Sequence, residues 1–111
     1  MKPALAILAA TLALTSPVTF ASDAGTAAIE ALGKVNGIAL ACEQPAIASR
    51  ARNALVTSAP KTRANGETFE NATNAAYLAQ GKGAACPDAA TLASSLGAAE
   101  KGLQSAFPNT R

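Results

Sequence analysis

The residues that most often perform catalysis or bind metals are scarce in this chain. It contains no histidine, a single methionine at position 1, and two cysteines, Cys42 and Cys86. Histidine is the commonest general base, and zinc, copper and haem iron are usually held by histidine, cysteine or methionine. The carboxylates are scattered, without the clustered spacing of a calcium-binding loop. We therefore expect a protein that is not an enzyme and that carries no metal ion or other cofactor.

Glu67 and Glu70 come closest to a reactive pair, because they are three residues apart at the start of a predicted helix. They could face each other across a substrate or a metal ion. The alternative is that acidic side chains are simply favourable near a helix N-terminus. An enzyme or ligand-carrier hypothesis would have only these glutamates, Tyr77 and the lysines to work with.

The N-terminal residues have the pattern of a secretory signal. Lys2 precedes an apolar stretch at residues 4–14, and Thr19-Phe20-Ala21 has the small residues of a cleavage site. We predict a cleaved signal peptide at residues 1–21 and a single helical domain at residues 22–111. The apolar stretch is too short to span a bilayer, and no cysteine follows the cleavage point to carry a lipid. We expect a periplasmic or secreted protein without a direct membrane anchor.

The net charge and the two cysteines argue against further classes of function. The formal net charge of +2 falls to +1 when Lys2 leaves with the signal, which is too small to predict nucleic-acid binding. The two cysteines permit one intramolecular pairing, and an oxidising compartment favours its formation. The absence of a C-x-x-C spacing argues against a redox catalyst.

Glycine, proline and asparagine divide the rest of the chain into four segments, each with an apolar period near 3.6 residues. This pattern predicts four helices, from about Thr26 to Cys42, from Pro45 to just before Pro60, from about Glu67 to Gln80, and from Pro87-Asp88 to near Phe107. Residues 60–66 are predicted to form a loop with a turn at Asn65-Gly66. The residues predicted to face the core are Ala28, Leu32, Val35, Ala39, Cys42, Ile47, Ala51, Ala54, Leu55, Ser58, Phe69, Ala72, Ala76, Tyr77, Ala89, Leu92, Leu96, Ala99, Leu103 and Ala106.

The topology and the cysteines support each other. In an up-down-up-down order, the end of the first helix and the beginning of the fourth lie at the same end of the bundle. Cys42 and Cys86 occupy those two places. We therefore predict an all-α fold, a small up-down-up-down four-helix bundle closed by one disulfide.

Two groups of residues are candidates for binding a partner. Gly33, Gly37 and Ala41 repeat every four residues and leave the first helix apolar or small almost all the way round. Two glycines inside a helix cost stability, so a close contact should compensate for them. That contact is either a neighbouring helix of the same bundle or a partner's helix in a shallow groove.

The second candidate is a basic docking site around the second helix. Its residues are Arg50, Arg52, Lys61 and Arg63. Arg50 and Arg52 point about 200° apart on a helix, so these two do not form one patch. Glu100 and Lys101 are interpreted as part of a solvated face.

With so little reactive chemistry, we expect an exported, non-catalytic protein-binding module of the cell envelope, in an adaptor, inhibitor, immunity or pilotin-like role. Its partner would be another envelope or secreted protein. The alternatives are a periplasmic stress chaperone that exposes apolar helix faces, and a small-ligand carrier with a cavity between its helices. The sequence leaves the oligomeric state open.

Overall fold

A computed structural model of the chain describes residues 17–108, with side-chain surroundings from residue 24 onward. This part of the chain is all-α and consists of four helices, α1 (Pro17–Ala41), α2 (Pro45–Ser58), α3 (Arg63–Gly81) and α4 (Ala89–Ala106). The predicted fold class is confirmed, including the Cys42–Cys86 disulfide. Residues 1–16 of the predicted signal peptide and residues 109–111 of the predicted domain lie outside the described residues, so the cleavage remains a prediction.

Helices α2 and α4 begin where the sequence predicts. Pro45 lies in the first turn of α2, where a missing N–H leaves no helical hydrogen bond unmade. At the start of α4, the Asp88 side chain accepts a hydrogen bond of 2.8 Å from the backbone N–H of Thr91. A proline and a capping aspartate are strong local signals, and this is why both starts could be predicted.

Helices α1 and α3 begin earlier than predicted. Residues 63–66 are helical because the Thr62 hydroxyl caps α3, accepting a 3.1 Å hydrogen bond from the N–H of Asn65. The prediction of a loop is therefore wrong for residues 63–66, which include the predicted turn at Asn65-Gly66. Helix α1 already begins at Pro17, nine residues before Thr26 and inside the predicted signal. Cleavage after Ala21 would leave the part of α1 from residue 22 onward.

The four helices alternate in direction, as predicted. The N-terminal third of α1 meets the end of α4, where a side chain at Gly25 would collide with the ring of Phe107. The end of α1 is tied to the start of α4 by the Cys42–Cys86 bond, with the two Cα atoms 5.8 Å apart. Helices α1 and α4 are therefore antiparallel.

Helix α1 is the centre of the bundle, because it packs against each of the other three helices. Helix α2 also packs against α4, whereas no Cα atom of α3 lies within 8 Å of a Cα atom of α2 or α4. Helix α1 is therefore the helix on which α3 packs along its length. This arrangement explains why α1 is apolar or small on nearly every side.

The core contains few large side chains. The most fully buried of them come from α1 and α4, and they are Ile29, Leu32, Leu92, Leu96 and Leu103. Helix α2 contributes buried alanines, and the only large apolar side chain that α3 buries is Phe69. Two predicted core residues are exposed. Tyr77 is 47 % exposed, and Ala89 lies at the solvent-exposed first turn of α4.

At Gly33 and Gly37, α1 lies directly against the backbone of α3. A Cβ atom at Gly33 would come within 2.7 Å of the Phe69 carbonyl oxygen, and one at Gly37 would come within 2.8 Å of the Ala76 Cβ. The opposed residues advance together along both helices, so α1 and α3 are parallel. Only small side chains fit in this contact, and this displaces the bulky Tyr77 to its edge.

A buried polar pair lies within the same contact. The Asn36 amide donates a 3.1 Å hydrogen bond to the Thr73 hydroxyl, which donates one of 3.2 Å to the carbonyl oxygen of Gly33. Both side chains are more than nine-tenths buried, and the Asn36 Oδ1 atom has no hydrogen-bond partner. Sliding α3 along α1 would break both hydrogen bonds in an apolar environment, so this pair fixes the register of the two helices.

The glycine contact yields a prediction with a matched control. Gly37→Ala forces the α1 and α3 backbones apart, and we expect the free energy of unfolding to fall by about 1–3 kcal/mol, as overpacked core substitutions do. At Gly102 in α4, an added Cβ atom would have no neighbouring atom within 4 Å. Gly102→Ala should therefore raise the free energy of unfolding by up to about 1 kcal/mol through helix propensity alone. Urea denaturation of both variants measures the difference, and equal effects would contradict the assigned contact.

Candidate functional site

The carboxylates do not gather into a metal site in the described part of the chain. No group of three or more histidine, cysteine, aspartate or glutamate side chains comes together there in a way that could hold a metal ion. Glu67 and Glu70 are both exposed on α3. They lie beyond the first turn of α3, which begins at Arg63, so their predicted placement at the helix N-terminus is wrong. Glu67 instead lies 3.9 Å from Arg63, one turn away.

Two of the four residues in the predicted basic site, Arg50 and Arg63, form ion pairs with glutamates. Arg50 donates two hydrogen bonds to the Glu100 carboxylate, of 3.0 Å from Nε and 2.7 Å from Nη2. These hydrogen bonds and the charge of Glu100 raise the pKa of Arg50. Arg50 thus joins α2 to α4, and Glu100, which we predicted to be solvated, is 20 % exposed. Arg52 and Lys61 are exposed, and their role in docking remains a prediction.

The glycine row of α1 faces the inside of the protein. Gly33 and Gly37 contact the α3 backbone, and Ala41, the third member of the row, is half-buried at the end of the same helix. Of the two interpretations, the structure supports packing within the bundle. The hypothesis of a groove for a partner's helix at this row does not hold for Gly33 and Gly37, because α3 fills that space.

A different groove exists on the other side of the α1–α3 contact. Because α3 and α4 both pack on α1 without approaching each other, an open groove runs along each side of the exposed α1 residues Glu30, Ala31 and Lys34. The groove between α1 and α3 has a volume of about 560 Å³ and the groove between α1 and α4 has one of about 430 Å³, and Lys34 lines both. We call the surface that the two grooves form together the alanine trough.

The walls of the alanine trough are made almost entirely of small side chains. The α3 wall consists of Thr68, Asn71, Ala72, Ala75, Ala76 and Ala79. The α4 wall consists of Pro87, Leu92, Ser95, Ala98 and Ala99. The floor is formed by Glu30, Ala31, Lys34, Val35 and Ile38 of α1. Small residues three and four apart form helix faces that a further helix can approach closely.

The charged side chains that line the alanine trough are both on its floor. Glu30 and Lys34 are exposed and lie one helical turn apart on α1. A bound segment would meet a negative and a positive group at a fixed spacing along an otherwise apolar surface. The trough therefore has a negative and a positive group in a fixed order along α1.

The disulfide lies at one end of the alanine trough. Glu43 adopts a left-handed backbone conformation with φ of 58°, and the N–H of Gln44 returns to the Ala39 carbonyl oxygen at 2.8 Å. This turn ends α1 and presents Cys42 to Cys86. Pro87, the residue after Cys86, is part of the α4 wall. The covalent bond therefore fixes the position of the wall where α4 begins.

Sequence reasoning missed the alanine trough, although part of its signal is visible. Ala72, Ala75 and Ala79 are spaced by three and four residues, as a helix-packing face is. What the pattern does not show is that α3 and α4 stay apart, so that Ala75 and Ala79 remain exposed while Ala72 lies against Gly33.

No protein family, curated protein or solved structure matches this chain. Of the helices within residues 17–108, none is long and apolar enough to cross a membrane.

The Asp88 cap at the start of α4 leads to a prediction about the pH dependence of stability. The hydrogen bonds from Thr91 hold the pKa of Asp88 below its ordinary value of 3.8. The folded state therefore favours the charged carboxylate, and this stabilisation is present above about pH 4 and is lost as the pH falls through the lowered pKa. Asp88→Asn keeps a capping side chain without the titrating charge.

We expect the melting temperature of the wild-type protein to exceed that of Asp88→Asn near neutral pH, and the difference to shrink from about pH 5 to about pH 2. Thermal unfolding followed by circular dichroism measures both. A difference that stays constant over this range would show that the charge of Asp88 is not part of the cap.

Proposed function

We propose that this protein is an exported, non-catalytic protein-binding module, and that its alanine trough receives a helix of another envelope or secreted protein. The observation that carries the proposal is the pair of open grooves on either side of Lys34, whose α3 and α4 walls are helix faces of mainly small residues. Helix-in-groove binding is a common way to recognise an amphipathic segment. The sequence pattern of a secretory signal and the single disulfide support the predicted location.

The composition of the trough defines the chemistry of its occupant. Because the walls end mainly in methyl groups, the large side chains needed to fill the trough must come from the partner. The occupant is then an amphipathic helix with leucine-like or aromatic residues at steps of three and four. An acidic side chain opposite Lys34 and a basic one opposite Glu30, one turn apart, complete it by charge complementarity.

The shape of the trough favours an elongated occupant over a small molecule. The two cavities adjoin at Lys34 and are open grooves rather than enclosed volumes. Small-molecule sites usually bury most of the ligand surface, which an open groove along helices does not do. The geometry therefore supports binding of a helix better than it supports the small-ligand carrier.

Site-specific photo-cross-linking in cells that produce the protein tests this proposal. Benzoylphenylalanine is placed at Ala75 and, separately, at Ala98, on the two trough walls. Matched controls carry it at Glu70 and Gln104, which are exposed on the same helices and lie about 140° and 120° round the helix axis from the test positions. We expect a cross-linked partner from the trough positions and not from the controls.

A second variant connects the cross-link to the trough. Ala75→Trp fills the trough from the α3 wall, so we expect it to reduce cross-linking from position 98 at least tenfold. The melting temperature should stay within a few degrees, because Ala75 is exposed. Mass spectrometry should place the cross-linked peptide in a helical segment rich in large apolar residues. Equal cross-linking from the control positions, or none from the walls, would refute the proposal.

A further inference from the structure

We propose that the Cys42–Cys86 bond is a redox-sensitive clamp on the alanine trough. When oxidised it holds the first turn of the α4 wall in place, and when a dithiol reductant opens it, that end of the trough loses its defined width. The proposal rests on the proposed function for what the trough binds. Its structural part is tested without any partner.

The first support is that the start of α4, ahead of the buried Leu92, is tied to the bundle by the disulfide and by the connector to α3. Helices α3 and α4 do not approach each other, so their spacing depends on α1 and on the connector of residues 82–88. That connector is exposed along most of its length, and Gly83 is in a left-handed conformation with φ of 102°. The connector has no helical or strand structure of its own that would fix its length.

The contacts of the connector are few. The Gln80 side-chain amide donates hydrogen bonds to the carbonyl oxygens of Ala84 and Ala85, at 3.0 and 2.9 Å. These bonds attach the connector to α3, and the disulfide attaches it to the end of α1. Pro87 follows directly and lines the trough. Breaking the disulfide removes the link between the floor helix and the start of the α4 wall.

The second support is access to the sulfur atoms. Cys86 is exposed and Cys42 is half-buried. Exposed disulfides are the ones most open to thiol–disulfide exchange. A thiolate of the reductant attacks the Cys86 sulfur and releases Cys42 as a thiol after protonation. The second thiol of the reductant then displaces Cys86 as a thiol, and the reductant leaves as its own disulfide, having given up two electrons and two protons.

The rest of α4 is held independently of the bond. Leu92, Leu96 and Leu103 are buried in the core, and the ring of Phe107 covers Gly25 in the N-terminal third of α1. The Arg50–Glu100 ion pair joins α2 to the middle of α4. Reduction should therefore loosen the connector end of the trough and leave the opposite end of the bundle folded.

Distance measurements by double electron–electron resonance test this inference. Nitroxides attached through p-acetylphenylalanine leave the native cysteines untouched. The trough pair is Ala79 on the α3 wall and Ala90 in the first turn of α4, and the control pair is Asn53 on α2 and Gln104 on α4, all of them exposed. Each pair is measured in the oxidised protein, after dithiothreitol with a thiol assay, and in a Cys42→Ser/Cys86→Ser variant without reductant.

We expect the distance distribution of the trough pair to become at least twice as wide in the reduced protein and in the double serine variant, while the control pair is unchanged. A trough pair that keeps its width after complete reduction would overturn the clamp. Broadening of both pairs together would also overturn it, because the bond would then hold the whole fold and not this end.

The cross-linking experiment separates this inference from the proposed function. If the trough pair broadens but no wall position cross-links to a partner, the clamp stands and helix binding fails. If cross-linking from Ala98 is equally strong in the oxidised and reduced proteins, helix binding stands and the clamp does not control it.

Discussion

How closely a helix can approach α1 determines most of this structure. The chain has few bulky side chains, so its helices gain burial by lying near one another more than by interlocking large residues. The closest approach is made by α3, whose backbone lies against Gly33 and Gly37. Helix α3 buries one large apolar side chain, Phe69, and without the glycine contact it would have little to hold it. The buried hydrogen bond between Asn36 and Thr73 gives this smooth contact a single register. Helix α3 can therefore be docked securely on one neighbour while its other faces remain open.

The parts of the fold that the sequence predicts are those with local chemical signals. Pro45 and Asp88 define the starts of α2 and α4, and the periodic leucines of α4 identify its buried face correctly. The cysteine pairing follows from there being two cysteines, and it agrees with the antiparallel order. The start of α1 at Pro17 lies inside the predicted signal, which the sequence pattern separates from the helix. The start of α3 is missed because Asn65-Gly66 has the pattern of a turn, whereas the Thr62 cap begins the helix before it. Tyr77 follows the apolar period and is therefore predicted to face the core, whereas the glycine contact excludes bulk from the seam. The sequence does not predict the burial of Asn36, because a lone polar residue on an apolar helix can be recognised as buried only when its partner, Thr73, is known.

The candidate site could be predicted only in fragments. The small residues of α1 and α3 indicate close helix packing, but a sequence pattern does not say whether the neighbour belongs to the same chain. For Gly33 and Gly37 the neighbour is α3. Ala72 also lies against Gly33, whereas Ala75 and Ala79 stay exposed and help to form the trough. The basic residues illustrate the same limit, because the partner of Arg50 is Glu100, fifty residues away in the sequence. Which side chains pair, and which helix faces stay uncovered, therefore depends on the packing of the whole bundle.

The disulfide also has a topological consequence. The bond between Cys42 and Cys86 closes a covalent ring that contains α2, α3 and the loops that flank them. One of those loops exposes Lys61 and leads into the exposed Arg63, which are cleavage sites for trypsin-like proteases. A single cut there opens the ring but releases no fragment, since both new ends stay attached through the sulfur atoms. Helix α3 would remain tethered and could return to the glycine face of α1. In a compartment that contains proteases, the molecule would survive its first nick as one covalent unit.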